Sequence, residues 1–424
     1  MKTLLLALAT LLLLLTAPTA RAQGLPSAKP EDVGLSSERL ARIGTILRDD
    51  VERGRIPGAV IMVARKGKLA YVQSVGFRDK AAGAPMTADS IFRIASMTKP
   101  MVSVATMMLY EEGRLLMSDP VSNYLPALAH RQVGVERVDP VTGKTVFQTV
   151  SAEREMTIQD LLRHTSGLPY GARGASKVHA MYPASSSMAA RELTGQEFID
   201  RLGKAVLLHQ PGTNWEYGFS TDVLGRVVEV VSGKTLGQFL QERLFQPLRM
   251  PDTGFVVPPE KHARLAAGFA TDPDTGKPVT LPDAKTAPKF ECGGGCAVST
   301  AGDYIRFGQM LANRGTLDGA RILGRKTVEY MTADHLGTTI GTGTDYIPGA
   351  GYGFGLGFAV RRGAGLADLN GSAGDFNWGG AYGTYFWVDP KEELVVVSMT
   401  QAPGPIRVYY RHMIKSLALQ AIAD

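Results

Sequence analysis

Ser96 and Lys99, three residues apart in Ala95-Ser96-Met97-Thr98-Lys99-Pro100, are the side chains best spaced to do chemistry together. On a helix, positions i and i+3 share a face, so an amine there can reach a hydroxyl. A serine at a helix start also lies beside unpaired backbone N–H groups and the positive end of the dipole, both of which favour a developing oxyanion. Proline is tolerated only in the first helical turn, so Pro100 places Ser96 at the helix entrance. The stretch 101–109 that follows is aliphatic and methionine-rich. Such surroundings favour the uncharged amine, the form able to accept a proton. The chemistry this pair can perform is nucleophilic acyl transfer.

A nucleophilic serine needs a base, a proton donor for the leaving group and oxyanion donors. Tyr217, in Trp215-Glu216-Tyr217-Gly218-Phe219-Ser220, is the candidate acid/base partner, because a tyrosine beside an ammonium loses its proton more readily. Its alternative reading is a core tyrosine at a helix start. A third stretch is Asn377-Trp378-Gly379-Gly380-Ala381-Tyr382-Gly383-Thr384. Consecutive glycines entering a strand mark a close approach to the backbone, and an edge strand there can offer an N–H to an oxyanion. The bland alternative is a bulge or tight bend. His164 ends a short helix and reads as a capping or packing residue rather than part of a Ser-His-Asp triad. Ser166 and Ser299 read as turn and cap residues. Gly218-Phe219-Ser220-Thr221-Asp222 lacks the second glycine of the lipase nucleophile turn, which argues against an α/β-hydrolase.

The elements that must position these groups follow from periodicity. Residues 1–22 read as a secretory signal, with Lys2 in the basic region, an apolar run over 4–15 and Ala20-Arg21-Ala22 at the cleavage site. The mature chain is then expected to start at Gln23 and to be exported, periplasmic or secreted, without a retained anchor. Losing Lys2 and Arg21 lowers the formal charge from +6 to +4, and no Lys/Arg block suggests nucleic acid. With 44% hydrophobic and 20% charged residues the composition is that of a globular enzyme. No His/Cys cluster has metal-ligand spacing, so no metal or other cofactor is expected. Cys292 and Cys296 bracket three glycines, and in an oxidising compartment they either close a small disulfide or remain two free thiols.

Residues 36–52 read as an amphipathic helix, 59–64 and 69–76 as a hairpin, and the helix after Ser96 runs to a glycine stop at Gly113. From 115 to 151 the pattern loosens; 157–162 is a capped helix, 170–190 a long loop, and 194–207, 221–231 and 236–245 are helical. Helices return at 302–313 and 325–331, strands at 352–361, 380–388 and 394–399, and a last helix at 406–423. The fold class is therefore α+β: an antiparallel sheet flanked by helices, from 23–114 and 291–424, with a mainly helical second domain at 115–290 carrying loops around the site.

Taken together, Ser96-x-x-Lys99, Tyr217 and Trp378-Gly379-Gly380 resemble the serine β-lactamase superfamily, specifically the class C β-lactamase-like branch that contains the family VIII carboxylesterases. His164-Thr165-Ser166-Gly167-Leu168, Ser220-Thr221-Asp222-Val223-Leu224-Gly225 and Ser299-Thr300-Ala301-Gly302-Asp303 also resemble segments of that branch, over residues 34–419. The resemblance implies a β-lactamase/penicillin-binding-protein transpeptidase-like fold. It implies Ser96 as nucleophile, Lys99 as its activating partner, Tyr217 as acid/base, and the N–H groups of Ser96 and Ala381 as the oxyanion hole. Trp378-Gly379-Gly380 then stands where relatives carry Lys-Thr-Gly, and Phe219 where they often carry asparagine. An indole replaces a cation able to pair with a carboxylate, and a phenyl ring replaces an amide able to bind an acylamide. Both changes point to neutral short-chain esters as the small-molecule partner. A β-lactamase or D-alanyl-D-alanine carboxypeptidase, an acyltransferase using the same acyl-enzyme, and a non-catalytic scaffold are the rival expectations.

Overall fold

The computed structural model describes residues 24–343 and 345–424, and the expected signal segment and Gln23 lie outside them. An eight-stranded sheet is built from two distant stretches of chain. Its spatial order is Tyr352–Phe354, Ala359–Arg361, Phe376–Gly379, Tyr385–Asp389, Leu394–Thr400, then β1 (Gly58–Arg65), β2 (Lys68–Asp79) and β3 (Ala84–Pro85). Every neighbouring pair is antiparallel. The seam joining the two stretches is β1 against Leu394–Thr400, in register from Ala59 opposite Thr400 to Arg65 opposite Leu394.

β1 reads Gly-Ala-Val-Ile-Met-Val-Ala-Arg and is buried at every position. An unbroken apolar run is what a strand covered on both faces requires. Alternation then divides it: Val60, Met62 and Ala64 join one core, Ala59, Ile61 and Val63 the other. The second core is closed by α1 (Ser37–Glu52), through Leu40, Ile43 and Leu47, and by the terminal helix Ile406–Leu419. α1 begins where Ser36 accepts the Arg39 N–H, the N-cap geometry its sequence anticipates. The first core is covered by Ala301–Ala312 and continues through α2 (Thr98–Glu111) into the helix Ser220–Ser232. α2 is buried on all sides from Thr98 to Leu109, so it lies between the sheet and the helical region.

Four local expectations are corrected. The strand expected over 352–361 is a hairpin, Tyr352–Phe354 paired with Ala359–Arg361. The loose region contains a hairpin, Gln132–Val138 with Thr145–Ser151, turned at Asp139, whose carboxylate accepts the N–H groups of Val141 and Thr142. The loop expected over 170–190 holds two 3₁₀ turns and gives way to a helix at Ser186–Glu192, capped by Ser185. The strand expected over 380–388 is two elements. Gly379 ends one strand, Gly380 donates to the Thr384 carbonyl at 2.8 Å to close a turn, and pairing resumes at Tyr385.

Candidate active site

Ser96 sits in a 3₁₀ turn, Ala95–Met97, that runs directly into α2. Ala95 has φ of 45°, a left-handed conformation that is strained for any residue with a Cβ. The turn is held by its surroundings. Thr98 Oγ1 donates to the Ala95 carbonyl at 2.7 Å, the Tyr304 hydroxyl to the Met97 carbonyl at 2.8 Å, and Thr384 Oγ1 to the Ile94 carbonyl at 3.1 Å. Ala95 and Met97 are buried, whereas Ser96 keeps partial exposure.

Lys99 is 1% exposed. Its Nζ donates to the Gly294 carbonyl at 2.6 Å, to the Tyr170 hydroxyl at 3.0 Å and to Ser96 Oγ at 3.4 Å. An ammonium has three N–H bonds, and each finds an oxygen. Beyond Tyr170 the chain of contacts continues: its hydroxyl meets Ser186 Oγ at 2.7 Å, and Ser186 donates to Asp222 at 2.8 Å. Asp222 also accepts the Gly294 N–H at 2.9 Å, so one residue of the Cys292–Cys296 loop ties carboxylate and ammonium together. That loop is closed by a disulfide, with Cα atoms 5.3 Å apart. Burial pushes the Asp222 carboxyl upward, with Lys99 opposing it. Burial, then the Asp222 charge, holds the Tyr170 phenol well above its ordinary value, so it remains protonated.

Tyr217 meets the network differently from the sequence-based expectation. Lys99 Nζ lies 4.6 Å from its ring centroid, a cation–π contact, and the phenol hydrogen-bonded to the amine is Tyr170. Among the described residues the Tyr217 hydroxyl has no hydrogen-bond partner. Its ring is fixed on several sides, by Trp215 at 5.8 Å, Tyr170 at 5.6 Å, Trp378 at 5.5 Å and His164 at 5.0 Å between centroids. Gly218 lets the Tyr217 segment run beside Leu168–Pro169, because a Cβ there would sit 1.9 Å from the Leu168 carbonyl oxygen. That approach, with the Pro169–Gly218 bridge, brings the two tyrosines together.

The other predicted residues divide. Trp378 is buried at 4% exposure beside Tyr217, in the strand Phe376–Gly379. Gly380 packs on Ile94, where a Cβ would come within 2.3 Å of the carbonyl oxygen, so only glycine allows this edge to close on the serine turn. Ala381 follows it, exposed, and among the described residues its N–H has no acceptor. Phe219 does not line the site. It is fully buried, with its ring 4.6 Å from Tyr170 and 5.3 Å from Phe198, and it supports Tyr170 from behind. The reason is local: Phe219 precedes the first turn of a helix that packs into the core, so its side chain faces inward. His164 is a buried imidazole kept neutral, first by burial and then by Lys99 and Arg173; among the described residues no hydrogen bond links its ring to a serine or carboxylate.

Tyr170, Ser186, Asp222 and Gly294 are the site residues missed by sequence reasoning. Asp222 and Gly294 lay in segments already singled out, while Tyr170 and Ser186 lay in the presumed loop. A cavity of about 630 Å³ adjoins the site, with Arg93, Phe255, Leu281, Cys296 and Tyr382 in its wall, and Gly295 joins it to the Ala95 backbone. Among the described residues no cluster of His, Cys, Asp and Glu could hold a metal ion, and no helix is long and apolar enough to cross a membrane.

The family model described as Beta-lactamase matches residues 43–417. The chain is 34% identical to an uncharacterized protein of Mycobacterium tuberculosis (strain CDC 1551 / Oshkosh), covering 84% of this chain and 88% of that one. It is 31% identical to esterase EstB of Burkholderia gladioli, covering 91% and 97%. Among solved structures it superposes with a TM-score of 0.72 on EstCE1, a hydrolase with promiscuous acyltransferase activity, at 26% identity over 90% of this chain and 98% of that one. The chain therefore belongs to the Beta-lactamase family, as a serine hydrolase of the branch that includes esterases.

Proposed function

We propose that this protein is a carboxylesterase that hydrolyses short-chain esters through an acyl-enzyme on Ser96. The observation that carries this reading is the buried Lys99 Nζ, held by Ser96, Tyr170 and Gly294 with no carboxylate in direct contact. An amine held by neutral oxygens can exchange a proton with the serine. In the reactive form Lys99 is the neutral amine: Ser96 Oγ attacks the ester carbonyl carbon as its proton passes to the Lys99–Tyr217 pair, leaving Lys99 as the ammonium and Tyr217 as the phenol. The N–H groups of Ser96 and Ala381 receive the oxyanion. The tetrahedral adduct then expels the alcohol, protonated by the Tyr217 hydroxyl, which has no other partner among the described residues; the phenolate left behind faces the Lys99 ammonium. Water repeats the sequence on the acyl-enzyme, with Tyr217 or Lys99 as base, and releases the acid.

The esterase relative supports ester over β-lactam chemistry, as does the indole at Trp378. Transfer of the acyl group to an alcohol is a second reading, favoured by the neighbouring cavity and by the acyltransferase activity of EstCE1. Export is part of the proposal, supported by the N-terminal signal pattern and by the disulfide, which suits an oxidising compartment. One panel tests the function: 4-nitrophenyl esters of increasing length, nitrocefin and a D-Ala-D-Ala peptide, each with and without methanol. Hydrolysis of the butyrate by the natural chain and its loss in Ser96→Ala are expected. Retained turnover by Ser96→Ala, or turnover of nitrocefin alone, refutes the reading.

A further inference from the structure

We propose that the outer edge of the strand Thr145–Ser151 is a dimer seam, where a second copy of this chain adds its own Thr145–Ser151 antiparallel, across a twofold axis at Phe147. The proposal goes beyond the esterase reading and does not depend on it.

The phase of the hydrogen bonds along the hairpin fixes which groups face outward. Leu207 donates its N–H to the Gln132 carbonyl at 2.7 Å and accepts the Gly134 N–H at 2.9 Å. Both hairpin residues therefore turn their backbone away from the second strand. By alternation Val133, Val135 and Arg137 turn theirs inward, onto Val150, Gln148 and Val146. Bonds at either end keep the same phase: Ala152 donates to the Arg131 carbonyl and Asp139 to the Lys144 carbonyl, both at 2.9 Å. Thr145, Phe147, Thr149 and Ser151 are left pointing their peptide groups outward. Gln210 Nε2 takes the Ser151 carbonyl at 3.3 Å. Among the described residues the N–H and C=O of Thr145, Phe147 and Thr149 have no partner.

Such an edge is a template for another strand, and proteins that leave one bare guard it with lysine, proline, a bulge or brevity. None of these guards is present here. The strand reads Thr-Val-Phe-Gln-Thr-Val-Ser, without charge or proline, and pairs with Gln132–Val138 in unbroken register over its 7 residues. It is also firmly seated. Val133 is buried in the main core, Val150 packs against that core, and the Phe147 ring lies on Gly134, where a Cβ would come 2.9 Å from it. A strand fixed before association loses little freedom on pairing.

Self-complementarity names the occupant. With the axis on Phe147, Thr145 stands opposite Thr149 of the second copy, and Phe147 opposite its own counterpart. Every free N–H of each edge then meets a free carbonyl of the other, and none is left over. An axis on Gln148 instead sends Thr145 to Ser151, whose carbonyl is already engaged. The side chains suit the first register: threonine faces threonine, and Val146, 46% exposed in the single chain, is flanked by Gln148 of the second copy. No like charges face each other along the seam. An interface of one strand a side is small, so association in the micromolar range is expected.

Sedimentation velocity of the natural chain at low salt, from about 1 to about 200 μM, tests this, and a monomer–dimer equilibrium is expected. Thr145→Lys with Thr149→Lys sets lysine opposite lysine twice and is expected to weaken the dimer at least about tenfold. Thr145→Lys with Thr149→Glu sets opposite charges at the same places and is expected to restore it. Both pairs of substitutions lie on exposed positions and leave the bonds to Gln132–Val138 intact; circular dichroism and the thermal midpoint check each fold. If those chains do not fold, Thr149→Pro, which removes one outward N–H and no bond of the hairpin, should also weaken the dimer about tenfold. A natural chain that stays monomeric throughout overturns the seam, whether its edge is bare or takes a strand from another protein. A dimer equally strong in every variant overturns it too, by placing the contact elsewhere. So does a dimer lost with the two lysines and not regained with lysine and glutamate.

Discussion

Two lysines are buried among the described residues, and their surroundings differ in one respect. Lys99 and Lys415 are 1% and 0% exposed. Lys415 Nζ lies 2.9 Å from Asp375 and 3.2 Å from the Tyr352 hydroxyl, and Arg361 Nε donates to the same carboxylate at 2.8 Å. Burial draws the Lys415 ammonium below the usual lysine range, while Asp375 pulls it back. Lys99 touches only neutral oxygens, and its counter-charge, Asp222, is reached through the Tyr170 hydroxyl, directly at 3.5 Å and by way of Ser186. A carboxylate in contact holds the proton on the amine and makes the pair a structural rivet. A carboxylate held off by an intervening hydroxyl still offsets the charge but leaves the amine a route for its proton. Placement of the anion, rather than burial, separates the lysine that can do chemistry from the one that holds a helix to the sheet.

That contrast can be broken by substitution, and the largest effect belongs to the nucleophile's neighbour. Lys99→Met is expected to lower kcat by about a thousandfold or more with a small change in thermal midpoint. Lys415→Met should do the reverse: about 3 kcal/mol less stable in denaturant titration, from an ion network left unbalanced, with kcat changed only a few-fold. If both variants lose activity equally at matched folded fraction, the distinction between the two lysines is wrong.

Tyr217→Phe and Tyr170→Phe sharpen it further. Removing the free hydroxyl at 217 should cost about a hundredfold or more in kcat with KM little altered. Removing the hydroxyl at 170, which positions Lys99 without touching substrate in this scheme, should cost roughly tenfold. A reversed order, read from steady-state kinetics, would exchange their roles. Asp222→Asn tests the distant counter-charge and is expected to lower kcat by about tenfold as the Ser186 contact weakens. The smallest effect is expected from opening the Cys292–Cys296 loop. Cys292→Ser with Cys296→Ser should lower kcat about two- to fivefold, because Gly294 then holds Lys99 less firmly. Activity unchanged under full reduction would show that the loop keeps its shape unaided.

Much of the frame was readable from local pattern. The apolar run of β1, the capping serine of α1, the Thr157–Asp160 capping box and the glycine stop at Gly113 are signals carried by a few adjacent residues, and the structure reproduces them. The hairpin at 132–151 escaped notice because its strands are largely exposed and carry little alternation. The single strand expected at 380–388 failed because its apolar residues continue past a turn closed by backbone hydrogen bonds, which leave no compositional trace.

The sequence by itself determined the spacing of Ser96 and Lys99 and the helix entrance that presents them, because i, i+3 geometry is an intrinsic property of the helix. Only the tertiary structure decided which phenol receives the lysine's hydrogen bond, that Phe219 turns inward, and that Arg411 of the terminal helix reaches the strand edge. Those outcomes depend on backbones closing to within a few ångströms, as Gly218 does on Leu168 and Gly380 on Ile94. A hydrogen bond is lost over less than an ångström, a tolerance set by packing between distant segments and not by any pattern along the chain.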